Sequence, residues 1–478
     1  MISDQRRCFS RYSSAVIAGL WAVFALSGTS SHADWLRFRG PNGSGVAEGQ
    51  KAPTAWNDTE NVAWKAELPG PGSSSAVIVG NKVFITCFSG YGVDPENLGE
   101  LSSLRRHVLA YDTATGDKLW EKTVSGSDKE DSYSGMLGEH GYASNTPVSD
   151  GDRLYVFFGK AGVVAYDLDG KELWKTDVGQ ESGPMHWGSG ASPIEHGDTV
   201  IVNASEEASA MIGLDKKKGS IMWRAQAEGV GNTWGTPIMV GEGDAAEIVL
   251  GVPNEIWGMN PKTGKLRWFA EALEENTFCS SLVTDGQVVY AIDGRQGESV
   301  AVRTGGKGDV TKSNLAWRGR AQGRVTSPVL YEGNLYTITR GVVQCLSAET
   351  GKEVYQTRLS APGTEPAAVP AGGEGGGPGG GGPGGPGVGG RGGFGGGGGR
   401  GGRGGGQDYS SPIVVDGNIY TINRAGLAYV FKTGPKLEVL AENKFASDPG
   451  KFNGTPAVSN GQLYLRSDKY LYCIAEKK

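Results

Sequence analysis

Short apolar runs alternate with tight polar turns along most of the chain. Runs such as Arg153 to Phe158 and Asn418 to Ile422 are rich in β-branched and aromatic residues, which suits strands rather than helices. A two-residue turn ending in Gly precedes each of them, Asp150-Gly151 and Asp416-Gly417, and Glu332-Gly333 and Asn460-Gly461 repeat the device. Such pairs supply the positive φ angles that two-residue hairpins need. The pattern predicts antiparallel meanders.

The meanders repeat. Each unit opens on a small or hydroxylated residue, then Pro, then a β-branched residue, as in Thr146-Pro147-Val148, Ser327-Pro328-Val329 and Ser411-Pro412-Ile413, with Thr455-Pro456-Ala457 close to them. Aligned on the proline, the units fall at 147, 193, 237, 282 (Leu282 stands in for it), 328, 412 and 456, in steps of 46, 44, 45, 46, 84 and 44. An earlier unit opens at Ser75-Ala76, with Gly80-Asn81 at its turn. A period near 45 residues holds four strands of roughly five or six residues plus their turns. One such sheet cannot bury both faces alone, and radial stacking solves that while leaving only short edges. The last unit has room for three strands before Lys478, whereas Asn61 to Leu68 reads as a lone strand with Trp64 where other units place an outer tryptophan. The expected fold is therefore all-β: an eight-bladed β-propeller of four-stranded antiparallel blades over residues 34–478, closed by an N-terminal strand in the last blade.

Composition modifies this picture at two places. Of 80 glycines, many fall between Ala371 and Gly406, where almost everything is Gly or Pro; about 361–407 reads as a disordered insertion that restores the period when removed. Only Arg391, Arg400 and Arg403 punctuate it, and with a formal net charge of −6 no nucleic-acid partner is expected. At the N-terminus, Arg6, Arg7 and Arg11 precede an apolar run from Ala15 to Leu26 and a Ser31-His32-Ala33 end. Residues 1–33 thus read as an export signal cleaved after Ala33, and the run is too short to span a bilayer. The remaining cysteines, Cys87, Cys279, Cys345 and Cys473, form no CxxC and read as buried small hydrophobes.

The segment Ala110-Tyr111-Asp112-Thr113-Ala114-Thr115-Gly116-Asp117-Lys118-Leu119-Trp120 resembles the tryptophan docking motif of quinoprotein dehydrogenases and their non-enzymatic relatives. Weaker copies run from Asp167 to Trp174, Asp215 to Trp223, Asn260 to Trp268 and Glu349 to Tyr355, while the fifth unit reaches Trp317 through a longer loop. From about Asp34 onward the chain is similar to bacterial PQQ-repeat propellers of the quinoprotein-like and BamB-like kind. The opening Trp35-Leu36-Arg37-Phe38-Arg39-Gly40-Pro41 also resembles exported PQQ-repeat proteins.

That resemblance implies a funnel on one face. The insertion Ser89 to His107, the acidic stretch Ser125 to Glu139 and the glycine tract all emerge on the same side of a meander, which marks a binding surface there. Where the inner strands begin, the chain offers Tyr142, Trp187, Trp234, Phe278, Tyr409 and Phe452, with Asn145, Asn232, Asn276, Arg324, Asp408 and Asn453 as polar partners. Trp187, Trp234, Asn232, Asn276, Arg324 and Asp408 are the cofactor-binding candidates at the funnel mouth. His140 and His186 each lie seven residues before their unit's proline, so they are candidates for a shared metal. No haem-attachment motif or catalytic Asp can be placed. The expectation is an exported, monomeric, non-enzymatic propeller without cofactor, binding a protein or cell-envelope ligand on its loop face. The alternatives are a PQQ- and Ca²⁺-dependent alcohol or sugar dehydrogenase, and a BamB-like outer-membrane assembly factor.

Overall fold

A computed structural model describes residues 34–293, 297–364 and 407–476. The proposed export signal, and all of the glycine tract from 365 to 406, lie outside them.

Eight antiparallel meanders are present, each four strands deep from axis to rim. Blade one comprises Val77–Val79, Lys82–Ser89, Arg105–Asp112 and Lys118–Ser125. Blades two to seven start at Val148, Ile194, Ile238, Val283, Val329 and Ile413. Blade eight joins Ala457–Ser459, Gln462–Arg466 and Tyr470–Ile474 to Val62–Glu67 from the other end of the chain, pairing Trp64 with Cys473. The ring closes as the sequence predicts. Two blades gain a fifth, two-residue strand: Val46–Ala47 runs parallel to the inner strand of blade seven, and Gly308–Asp309 runs parallel to the outer strand of blade four. The latter lies in the long fifth-unit loop, which also carries the one-turn helix Thr311–Asn314.

The recurring sequence positions now have physical reasons. In the docking turns, Asp112 Oδ1 accepts from the backbone N–H groups of Ala114 and Thr115 at 2.8 and 3.0 Å. Each outer tryptophan then reaches the next blade. Trp64 Nε1 donates to the Thr113 carbonyl, Trp120 to Leu168, Trp174 to Lys216, Trp223 to Pro261 and Trp317 to Ala348, over 2.8–3.1 Å. Beneath these rings lie Gly116, Gly170, Gly219, Gly264 and Gly351, where any Cβ would approach the indole to 2.4–2.7 Å. Trp268 departs from the rule, because blade five has no docking turn; it donates instead to Glu247 Oε2 at 2.8 Å within its own blade. The strand facing each aromatic supplies a small residue: Ala110, Ala165, Gly213, Gly258, Ala301, Cys345 and Cys473. In blade seven the pair is inverted, Val430 facing Ala441. Two of the cysteines are thus small wall residues, and Cys87, Cys279, Cys345 and Cys473 are all free thiols.

The hydroxylated residue before each proline forms a circle about the axis. Ser75 N–H donates to Thr146 Oγ1, and the relay continues through Ser192, Thr236, Ser281, Ser327 and Ser411 to Thr455, each step 2.8–3.0 Å. The eighth step is open, since Ser75 Oγ has no partner among the described residues. Ser327→Ala strips the acceptor from a buried N–H and is expected to cost about 1–3 kcal/mol. Ser75→Ala removes no bond and should stay within about 0.5 kcal/mol. Equilibrium unfolding in urea reads both; equal costs would show the relay to be energetically silent.

The N-terminal segment crosses the channel below this circle. Trp35 pairs with Ile78, the Leu36 carbonyl accepts from Ser149 N–H, and Arg37 Nη2 donates to the Pro237 carbonyl at 3.1 Å. Arg39 Nη2 reaches the Pro328 carbonyl at 2.5 Å, and the Gly45 carbonyl accepts from Val414 N–H. Blades one, two, four, six and seven are tied by one strap. Gly40 must be glycine, having φ +65° and the Trp35 ring 2.6 Å from where a Cβ would stand.

Candidate functional site

The strap turns the channel into a dead-end funnel. Phe38 forms its floor, and six members of the hydroxyl circle, Ser192, Thr236, Ser281, Ser327, Ser411 and Thr455, surround it. Above them stand Met136, His140, Trp187, Trp234, Cys279, Val325, Tyr409 and Asn453, enclosing about 110 Å³. Among the described residues, no Lys, Arg, Asp or Glu lines the cavity.

One loop shapes the mouth. The connection from Ser125 to Val148 carries a helical turn, Leu137–His140, that leans across the opening to blades seven and eight. There Arg424 pairs with the Glu139 carboxylate, Asn453 Nδ2 donates to the Glu139 carbonyl at 3.1 Å, and Tyr409 Oη approaches Met136 Sδ at 3.7 Å. The other end of this loop is pinned by Asp131. Its carboxylate takes hydrogen bonds from Lys160 Nζ (2.8 Å), Ser182 Oγ (2.7 Å) and His186 Nδ1 (2.8 Å). Burial works to raise the Asp131 carboxyl, but those donors outweigh it and hold it below the ordinary carboxylate range.

The candidate residues do not converge on one point. Trp187 and Trp234 both line the funnel, with ring centroids 4.7 Å apart, and the Arg324 guanidinium lies 5.8 Å from the Trp187 ring. Asn232 adopts φ +61° and accepts from Phe278 N–H through its carbonyl, a structural turn, while Asn276 is exposed. Asp408 sits by a separate crevice between blades six and seven, where Oδ1 accepts from Arg424 N–H at 3.2 Å and burial raises its carboxyl. The two histidines have separate partners. His140 uses Nε2 toward the Trp187 carbonyl (2.9 Å) and Nδ1 toward Ser144 Oγ (2.5 Å), and burial lowers its pKa, leaving it neutral. His186 is exposed and turned to Asp131. Tyr142 and Phe452 belong to aromatic packing, with Phe88 and Tyr91 in one case and with Phe445 and Tyr472 in the other.

Sequence reasoning missed the floor and the circle. Both were written in the chain, as the Trp35–Pro41 segment and as the hydroxyl before each proline, but neither carries a sign of which way it faces. It also missed Glu206 and Glu207, both buried on the single turn Ser205–Ala208 beneath the loop that carries Trp187. Three of their carboxylate oxygens have no partner among the described residues.

Fold and site together define a PQQ-repeat propeller with a blind axial funnel. The chain belongs to the family described as outer membrane protein assembly factor BamB, whose profile matches residues 104–357, just over half its length. Among curated proteins it is similar to a polyvinylalcohol dehydrogenase of a Pseudomonas species, 20% identical over 260 residues, which are 45% of this chain and 37% of that protein. The chain thus spans little more than a third of that relative's length in the match. Among solved structures, BamB from Moraxella catarrhalis superposes with a TM-score of 0.54 at 11% identity, covering 86% of this chain and 99% of that one. Quinohemoprotein alcohol dehydrogenase from Comamonas testosteroni gives 0.59 at 10% identity, covering 93% and 81%. A europium-containing methanol dehydrogenase gives 0.57 at 11%, covering 91% and 89%. Identities this low speak for the fold alone.

Proposed function

We propose that this is an exported, non-enzymatic binding propeller whose loop face, centred on the funnel, holds a protein or cell-envelope ligand. One observation carries the reading: among the described residues, the funnel lining contains no Lys, Arg, Asp or Glu side chain. A quinone cofactor bearing three carboxylates needs cationic partners, a bound Ca²⁺ needs anionic or carbonyl oxygens, and substrate oxidation needs a base. The residues present do not fit that group.

The expected result is that the purified protein, mixed with PQQ and Ca²⁺, gains no quinone absorbance and reduces no dye with alcohols or sugars. Quinone uptake at micromolar PQQ would overturn the reading. Pull-down from envelope extract, with and without residues 365–406, then tests the loop face directly. Family membership favours one variant of the reading, a role in outer-membrane protein assembly; failure to co-purify with assembly components would remove that variant.

A further inference from the structure

The relay around the axis has a chemical consequence. Each circle hydroxyl accepts its neighbour's N–H through the oxygen, so its own hydrogen stays available to donate. Among the described residues, none of these hydrogens has a protein acceptor at Ser192, Thr236, Ser281, Ser327, Ser411 or Thr455, and all six residues line the funnel. At their centre is the half-buried ring of Phe38. Asn453 contributes the opposite polarity. Its Nδ2 is used, on Ser73 Oγ and the Glu139 carbonyl, but its buried Oδ1 has no partner among the described residues.

We propose that the funnel binds a neutral sugar ring, seated against Phe38 inside the circle of Ser and Thr hydroxyls. This rests on the reading of the funnel as a binding site. An ion would lose its hydration with no opposite charge to replace it. A purely apolar ring would leave six donors and the Asn453 oxygen without partners, each at the cost of an unmade buried bond. A pyranose meets both demands: its C–H faces suit Phe38, Trp187 and Trp234, while its hydroxyls accept from the circle and donate to Asn453 Oδ1. The funnel's roughly 110 Å³ takes only part of a pyranose and the rest stands in its open mouth, so the ring can be a free monosaccharide or the terminal residue of a glycan.

The test titrates the full chain with methyl β-D-glucopyranoside, methyl α-D-mannopyranoside, N-acetylglucosamine, glucuronate and cyclohexanol, following tryptophan fluorescence and ligand-observed NMR. At least one uncharged pyranoside should bind saturably with a Kd near 1 mM, about tenfold tighter than glucuronate or cyclohexanol. Phe38→Leu and Trp187→Ala should each weaken it about tenfold while the unfolding midpoint holds. A matching oligosaccharide that binds tighter than its monosaccharide identifies a glycan end; equal binding identifies the free sugar. The proposal is overturned if no uncharged pyranoside saturates by about 0.1 M, or if glucuronate or cyclohexanol binds as well. PQQ titrated into the same samples keeps the two ideas apart. Sugar failure without quinone uptake sinks this inference alone, whereas quinone uptake sinks the non-enzymatic reading.

Discussion

Raising the pH from about 5 to about 8 is expected to destabilise the propeller by more than 1 kcal/mol per pH unit, and Glu206→Gln with Glu207→Gln should remove most of that slope. The two carboxyls are buried side by side. Burial, then the Asp131 charge, pushes Glu206 up to about 7, and burial, then Glu206 itself, pushes Glu207 up to about 8, against an ordinary 4.5. A carboxyl whose folded pKa is raised holds its proton longer folded than unfolded. Its stabilisation is complete below 4.5, declines as the unfolded chain ionises, and levels off once the folded pKa is passed. The facing charges have the wrong balance to prevent this. Lys160 and His186 pull Glu206 down and Lys160 pulls Glu207 down, but both cations are bound to Asp131, and Arg106 to Glu130 at 2.8 Å, so burial and the neighbouring carboxylates outweigh them. Glutamine mimics the protonated form in shape and carries no proton to lose. Urea unfolding from pH 5 to 9 decides the matter: equal slopes in the parent and the doubly substituted chain would mean that other groups set the dependence. The loosening should be felt first at the funnel, because the Glu207 carbonyl accepts from Glu181 N–H and Gly183 packs on Glu206, in the loop that ends at Trp187.

Much of this architecture was legible because propellers repeat their errors as well as their rules. A turn needing positive φ shows itself as Asp-Gly or Asn-Gly, and Asp416-Gly417 and Asn460-Gly461 do adopt φ of 49° and 72°, and 52° and 79°. An outer tryptophan needs a glycine under it, so the docking motif could be counted blade by blade. Even the irregular fifth unit announced itself, through the longer loop before Trp317. The site was less legible for a physical reason. Period and turn chemistry fix where a strand begins, not which begin-points face the axis and which are absorbed by packing. Trp234 and Tyr142 both stand a few residues before their inner strands, at Ile238 and Val148; the first lines the funnel while the second is spent on Phe88, Tyr91 and Tyr133. His140 and His186 match in phase, yet a helical turn carries one into the cavity and φ +51° turns the other outward. Long-range contacts such as Glu139 to Arg424 have no local signal.

Trp64→Ala is expected to be the most damaging single change at the ring seam, costing about 3–5 kcal/mol from packing; the half-buried Thr113 carbonyl keeps Gln462 Nε2 as a donor at 3.4 Å and adds little to that. Every inner blade is held to its neighbours by covalent connection as well as packing. The eighth is itself split: Val62–Glu67 runs on into blade one while its other three strands follow blade seven, so only noncovalent pairing joins its two parts, and the hydroxyl relay is open between the same two blades. What remains there is the pairing with Tyr470–Ile474, the indole over Gly116, and Arg466, whose Nη1 donates to the Thr86 carbonyl at 2.8 Å. Removing the indole should therefore loosen the closure rather than one blade. The urea transition should broaden with a lower m-value, and limited proteolysis should cut first between residues 47 and 62. Trp120→Ala, which removes the same contacts between blades one and two, should lower the midpoint yet keep the m-value. Geometry supplies a second check. Gly116→Ala in the parent drives a Cβ to within 2.6 Å of the indole, whereas in the Trp64→Ala background that clash is gone and only the φ of +76° remains to resist it. The two substitutions should thus couple by more than about 0.5 kcal/mol in a double-mutant cycle, and strict additivity would show that the tryptophan is not what seals the ring.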